Sequence, residues 1–172
     1  MGIIEAQQEN YPQALDYYKQ SLSVKTACLP RPSDDPLTAA LMADTVVNIA
    51  VVHRKQKKYQ KSIRKLKNAL KLYKTAYLSS FAESKFALAN TYLGLACAYA
   101  GLSSQNDIDH ETALNDAMQC LAEAHEHGLC YIPNASTFLT NEPTLHVLRE
   151  HGDHQGTLQE LIEKSSKIEK LS

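Results

Sequence analysis

The sequence predicts an all-α fold in which antiparallel helix pairs stack side by side and irregular helices close the C-terminal end. Three observations predict it. Apolar and small residues recur at i, i+4, i+7 and i+8: Ala14, Tyr18, Ser21, Leu22; then Ser62, Leu66, Ala69, Leu70; then Ala113, Ala117, Cys120, Leu121. No stretch alternates β-branched and polar residues between turn dipeptides, as a strand would. Finally, two segments whose leading tyrosines stand 48 residues apart carry small and large residues at the same offsets.

The elements follow in order. A truncated helix at 2–8 opens the chain, and a helix is expected over 12–27. Pro30, Pro32 and Pro36, with Ser33-Asp34-Asp35 among them, cannot be helical, because proline removes a donor and clashes with the preceding turn. Asp35 before Pro36 reads as an N-cap with proline at the first helical position. Helices then run over 37–56, 59–79 and 83–100. Gly101 to Asp107 form a second loop before a helix at 110–127, and Ile132-Pro133-Asn134-Ala135-Ser136 form a third. Asn141-Glu142-Pro143 supply a cap and a proline for a helix at 143–150, and Asp153 caps a last one at 154–169. Lys164, Lys167 and Lys170 suit the negative end of that helix dipole.

The internal match is Asn10-Tyr11-Pro12-Gln13-Ala14-Leu15-Asp16-Tyr17-Tyr18-Lys19-Gln20-Ser21-Leu22 against Lys58-Tyr59-Gln60-Lys61-Ser62-Ile63-Arg64-Lys65-Leu66-Lys67-Asn68-Ala69-Leu70. In each, a tyrosine opens a helix, a small residue follows three later, a large one four after that, and a small residue then Leu close the pattern. Nine residues before each tyrosine stands a small residue, Gly2 or Ala50. Two antiparallel helices approach closely only where side chains are small, and a pair that cannot bury its apolar face alone must stack on another.

This pattern resembles the tetratricopeptide repeat (TPR) family. It is carried by Gly2, Tyr11, Ala14, Tyr18, Ser21 and Leu22 in a first copy, and by Ile49, Ala50, His53, Tyr59, Ser62, Leu66, Ala69 and Leu70 in a second. Leu93, Gly94, Cys97, Ala113, Ala117, Cys120 and Leu121 carry a third, with a longer loop between its helices. The 48-residue spacing exceeds the family's usual 34. Long second helices, a proline-bearing linker and the run Val46 to His53 followed by Lys57-Lys58-Tyr59 are similar to the extended repeats of kinesin light chains. The resemblance implies one right-handed superhelical domain over 1–172: a partial repeat at 2–27, repeats at 37–79 and 83–128, and capping helices at 140–170. Because the first copy lacks most of its opening helix, the chain is expected to be part of a longer array that can self-associate through repeat ends; the alternative is that the half-helix is its natural start.

The family binds ligands in the groove lined by the first helix of each pair. On that frame the second copy directs Asp44, Val47, Asn48, Val51, Arg54 and Lys55 into the groove, and the third directs Leu88, Thr91, Tyr92, Leu95 and Tyr99. Asn48 stands where such domains use an amide, donor and acceptor at once, to hold a peptide backbone. The bland alternative is an Asn bonded within its own helix pair. The carboxylate clamp of chaperone-binding members is not supported, since Leu88 and Tyr92 replace its cations. The expected partner is another protein, held through a peptide or helix with apolar anchors.

Charge is unevenly placed. Net charge is −1, yet residues 45–82 carry ten basic and no acidic residues, while 105–172 carry twelve acidic and four basic. The basic-face candidates are Lys57, Lys58, Lys61, Arg64, Lys65, Lys67, Lys71 and Lys74, after Arg54 and Lys55. They read either as a solvated convex face or as a surface for an acidic protein, nucleic acid or phosphoinositide. No aromatic interleaves with the exposed lysines, because Tyr59 and Tyr73 fall on the packing face, which argues against single-stranded nucleic acid.

No cofactor, metal or catalytic motif is read. His125 and His127 are two apart and face different sides of a helix, and no histidine or cysteine spacing matches a zinc site. There is no phosphate loop, no nucleophile elbow and no supported Cys–His pair, so no enzyme is expected. The spacings of Cys28, Cys97, Cys120 and Cys130 suit inert thiols in a reducing compartment, cytosol or nucleus. No run of 18 apolar residues and no signal peptide is present.

Overall fold

The computed structural model describes residues 1–77, 84–105 and 109–170, and every regular element among them is helical. The helices are α1 (Gly2–Gln7), α2 (Tyr11–Cys28), α3 (Pro36–Lys55), α4 (Tyr59–Tyr77), α5 (Ser84–Ser103), α6 (His110–Glu126), α7 (Ala135–Asn141), α8 (His146–Glu150) and α9 (Gly152–Glu169). Short 3-10 turns lie at Leu129–Tyr131 and Pro143–Leu145. The expected helix limits at 78–79 and 83, and Asn106 and Asp107 of the second loop, lie outside the described residues. The chain divides into two compact units, Met1–Ser84 and Lys85–Ser172.

In the first unit α2 and α3 run antiparallel. Near the end of α2, Lys25 Nζ donates to Leu41 O and Thr45 Oγ1, both at 2.6 Å, in the first half of α3, while Ala14 and Tyr18 pack with Ile49 and Val52 in its second half. α3 and α4 pack extensively and are also antiparallel: Ser62 Oγ donates to Ala50 O at 2.8 Å, and further along Tyr73 Oη donates to Asp44 Oδ1 at 2.5 Å. Ser62 and Ala50 are fully buried, as the close approach of two backbones requires. Asp35 is the N-cap of α3, its Oδ2 accepting from Thr38 N at 2.9 Å and from Thr38 Oγ1, with Pro36 at the first turn. These bonds hold the Asp35 carboxyl below its ordinary pKa. By length and mean hydropathy (1.4) α3 would also suit a membrane span, but eight of its residues are buried in the packing of the protein.

The turns joining α1 to α2 and α3 to α4 have the same conformation. Glu9 and Lys57 both take a left-handed φ, 61° and 57°. Asn10 N donates to Glu5 O and Lys58 N to His53 O, while Glu9 N reaches Ala6 O and Lys57 N reaches Arg54 O. This is one helix-terminating motif used twice, satisfying the carbonyls a helix end leaves orphaned. Glu9 and Lys57 stand 48 residues apart, the spacing of the sequence match.

In the second unit α5 and α6 run antiparallel. His110 Nδ1, at the start of α6, bonds Ser103 O at the end of α5 at 2.9 Å, and His127, just past α6, stacks on Tyr92 with centroids 5.5 Å apart. Asp109 caps α6 through Thr112. Between 88 and 103 only Asn90 is exposed and only Gly94 is half-buried. A helix apolar on every face buries every face, and α5 extends to Ser103, so Gly101 to Ser103 belong to the helix and not to the expected loop.

The C-terminal elements differ most from expectation. Residues 135 and 136, expected in a loop, open α7. Its ends are held from afar: Glu169 accepts from Ser136 N at 3.0 Å and from Ser136 Oγ, and Arg149 donates to Leu139 O at 2.9 Å and Glu142 O at 3.1 Å. Asn134, in the left-handed region, gives α7 no side-chain cap, so nothing local announces the helix. The expected 143–150 helix is a 3-10 turn followed by α8, and its cap is Glu142, which accepts from Thr144 Oγ1 at 2.9 Å. Asp153 lies in the first turn of α9, whose N-cap is His151. A 3-10 start and a tertiary-anchored helix carry no periodic signature. α9 packs on α7, α8 and the 129–131 turn, burying Leu158, Leu161 and Ser165.

Candidate cleft between the first and third helices

α1 and α3 do not close on one another, and a cleft of about 360 Å³ lies between them. One wall is Asn48, Val51, Val52 and Lys55, four residues that fall on one face of α3 at i, i+3, i+4 and i+7. The other is Ile3, Ala6 and Gln7 of α1 with Glu9 of the turn, and Tyr11 and Tyr18 of α2 complete the lining. Below it Ala14, Tyr18, Ile49 and Val52 form a small core, flanked by Ala6, Tyr11, Leu15 and Leu22. Gly2 sets how closely α1 sits on α2: a Cβ there would stand 2.8 Å from Tyr18 Cε1. Burial raises the Tyr18 phenol above its ordinary pKa, so the lining keeps it neutral.

Three of the sequence-derived groove residues, Asn48, Val51 and Lys55, therefore meet at one opening. The Asn48 side chain is half-buried and, among the described residues, has no hydrogen-bond partner. Its amide therefore has a donor and an acceptor available at once. Val51 and Lys55 are exposed. Val47 and Arg54 are half-buried and are not among the lining residues. Asp44 is exposed but engaged by Tyr73, which makes it part of the α3–α4 packing.

The third-copy positions are corrected. Leu88, Thr91, Tyr92, Leu95 and Tyr99 are buried, with 9% exposure at most. They present no open groove, because the sequence around them is apolar on all sides and α5 takes a buried place. Thr91 turns its hydroxyl back to Ala87 O at 2.7 Å, and Tyr92 stacks on His127.

The basic-face residues lie on α4 and the turn before it. Lys57, Lys58, Lys61, Arg64, Lys67, Lys71 and Lys74 are exposed and Lys65 is half-buried. The opposite face, Ser62, Ile63, Leu66, Ala69, Leu70, Tyr73 and Ala76, is buried. The cations are felt nearby. His53, half-buried with its Nδ1 unpartnered, has its pKa lowered first by burial and then by Lys58, Lys61, Lys65 and Arg64.

Two groupings escaped the sequence. His125 Nδ1 lies 3.1 Å from Cys130 Sγ, which Ser165 Oγ also approaches at 3.4 Å. Cys130 and Ser165 are buried, so the thiol is enclosed by its partners. His110, His151 and His154 form a run of rings with centroids 6.3 and 4.9 Å apart. Both need a bend after α6 or the approach of α9 to become visible. Among the described residues no three His, Cys, Asp or Glu side chains are placed to hold a metal ion. The four cysteines are free thiols, only Cys28 being exposed.

Comparison of the sequence with models of known protein families gives no match, and comparison with curated proteins gives none either.

Proposed function

We propose that the chain is a helix-repeat adaptor of tetratricopeptide type, and that it docks an extended peptide segment of another protein in the cleft beside Asn48. The repeated turn at Glu9 and Lys57 and the close approaches at Gly2 and Ser62 support the repeat reading. The observation that carries the binding reading is the unpartnered, half-buried amide of Asn48 in a cleft walled by Val51, Val52, Ile3 and Ala6. An amide in that place can bond the N–H and C=O of a peptide residue whose side chain enters the apolar part of the cleft.

The test is a selection of displayed random peptides against the full chain, followed by titration of the selected peptides. Asn48→Ala removes a paired amide contact of about 1.4 kcal/mol, so affinity falls about tenfold with the fold intact by circular dichroism. Selected peptides that bind wild type and Asn48→Ala equally would overturn the reading.

A further inference from the structure

The outer face of α4 is a second feature, independent of the cleft. We propose that it is an electrostatic docking surface for an anionic lipid bilayer. Lys61, Arg64, Lys67, Lys71 and Lys74 are exposed on the face opposite the packed one, at spacings of three and four residues. At 1.5 Å rise per residue the row is about 20 Å long and as straight as the helix. No acidic residue occurs on α4 or anywhere from 45 to 82. The field of the row reaches His53 on the adjoining helix, where, after burial, its Lys61 and Arg64 oppose protonation together with Lys58 and Lys65.

The chemistry of the row selects the partner. Among the described residues α4 contributes none of the exposed large apolar side chains, so they give the face no anchor to fill a pocket on a protein and no wedge to insert among lipid tails. Among its described residues no exposed aromatic offers a face on which bases could stack. Lysine outnumbers arginine five to one along α4, and an ammonium is a point charge indifferent to the orientation of its anion, whereas directional recognition of carboxylate or phosphate favours the guanidinium fork. A straight row of ammonium groups makes one demand, a dense flat negative surface. Lipid headgroups offer that along its whole length, while the phosphates of a duplex curve away from it. Each near-surface cation adds about fivefold to partition onto such a membrane, and the attraction fades within a Debye length of about 10 Å in 0.1 M salt.

The experiment is sedimentation of the full chain with vesicles of about 30% phosphatidylserine in phosphatidylcholine at about 0.1 M salt. Wild type should co-sediment with these and not with pure phosphatidylcholine, and should be released at about 0.5 M salt. Lys61→Glu/Lys71→Glu/Lys74→Glu should lose at least about 100-fold in partition. Lys164→Glu/Lys167→Glu/Lys170→Glu, an equal charge change at exposed positions near the end of α9 and at its C-cap, should retain it. Failure of wild type to bind, or equal loss in the two triple variants, would overturn the proposal. So would tighter binding to a poly-glutamate peptide or a DNA duplex at matched anionic charge, which would assign the face to an acidic macromolecule instead.

Discussion

The hydrogen bond from Tyr73 to Asp44 fixes α4 on α3 far from their connecting turn, and its contribution can be worked out. Tyr73 is 4% exposed and Asp44 is exposed, with Oη and Oδ1 2.5 Å apart. Burial, then the bond to Asp44 and its charge, push the phenol far above its ordinary pKa, so the hydroxyl stays the donor. A hydrogen bond to a charged acceptor contributes about 1.5–3 kcal/mol, and water competing at the exposed carboxylate takes this one to the lower end. Tyr73→Phe should therefore cost about 1.5 kcal/mol, leaving a solvated carboxylate behind. Asp44→Ala should cost about 2 kcal/mol, because it strands a buried hydroxyl. The double variant should cost about 2 kcal/mol and not the sum, a coupling of about 1.5 kcal/mol. Urea unfolding followed by circular dichroism measures all three, with the slope unchanged. Additivity within about 0.3 kcal/mol would refute the pairing.

Two further outcomes follow from the same structure. His53 is held neutral in the fold, so the unfolded chain binds the extra proton, and stability falls as pH drops below about 6.5 toward the lowered native pKa. His53→Gln should lose less melting temperature than wild type between about pH 7.5 and 5, and parallel curves would contradict this. Lys57 and Glu9 occupy the left-handed region, which costs a non-glycine residue about 1–2 kcal/mol, against about 0.5–1 kcal/mol of unfolded-state entropy that glycine brings. Lys57→Gly and Glu9→Gly should each stabilise by about 0.5–1 kcal/mol in thermal unfolding, and a loss in either would deny that the two turns are equivalent.

The first unit was legible because its signals are local and repeated. Asp35-Pro36 announces the start of α3 by cap chemistry, and the Tyr-x-x-small pattern places Ala14 and Ser62 at the closest helix contacts. Asn48, Val51 and Lys55 come from the groove frame that the repeat resemblance implies, and they line one cleft because i, i+3 and i+7 share a helix face. Spacing does not say what covers a face. The Leu88 to Tyr99 stripe was assigned to an open groove and is buried, and the apolarity of α5 on every side was the available warning. α7 was missed because its caps, Glu169 and Arg149, come from elsewhere in the chain.

The central claim, that a peptide segment docks beside Asn48, is most directly tested by nuclear magnetic resonance titration of the 15N-labelled chain with a selected peptide. The side-chain NH2 signals of Asn48 should shift together with the backbone amides of Val51, Val52, Lys55, Ile3 and Ala6, which line the same cleft. Saturable binding that leaves the Asn48 NH2 signals unmoved, with shifts confined to α4 or to the second unit, would contradict it.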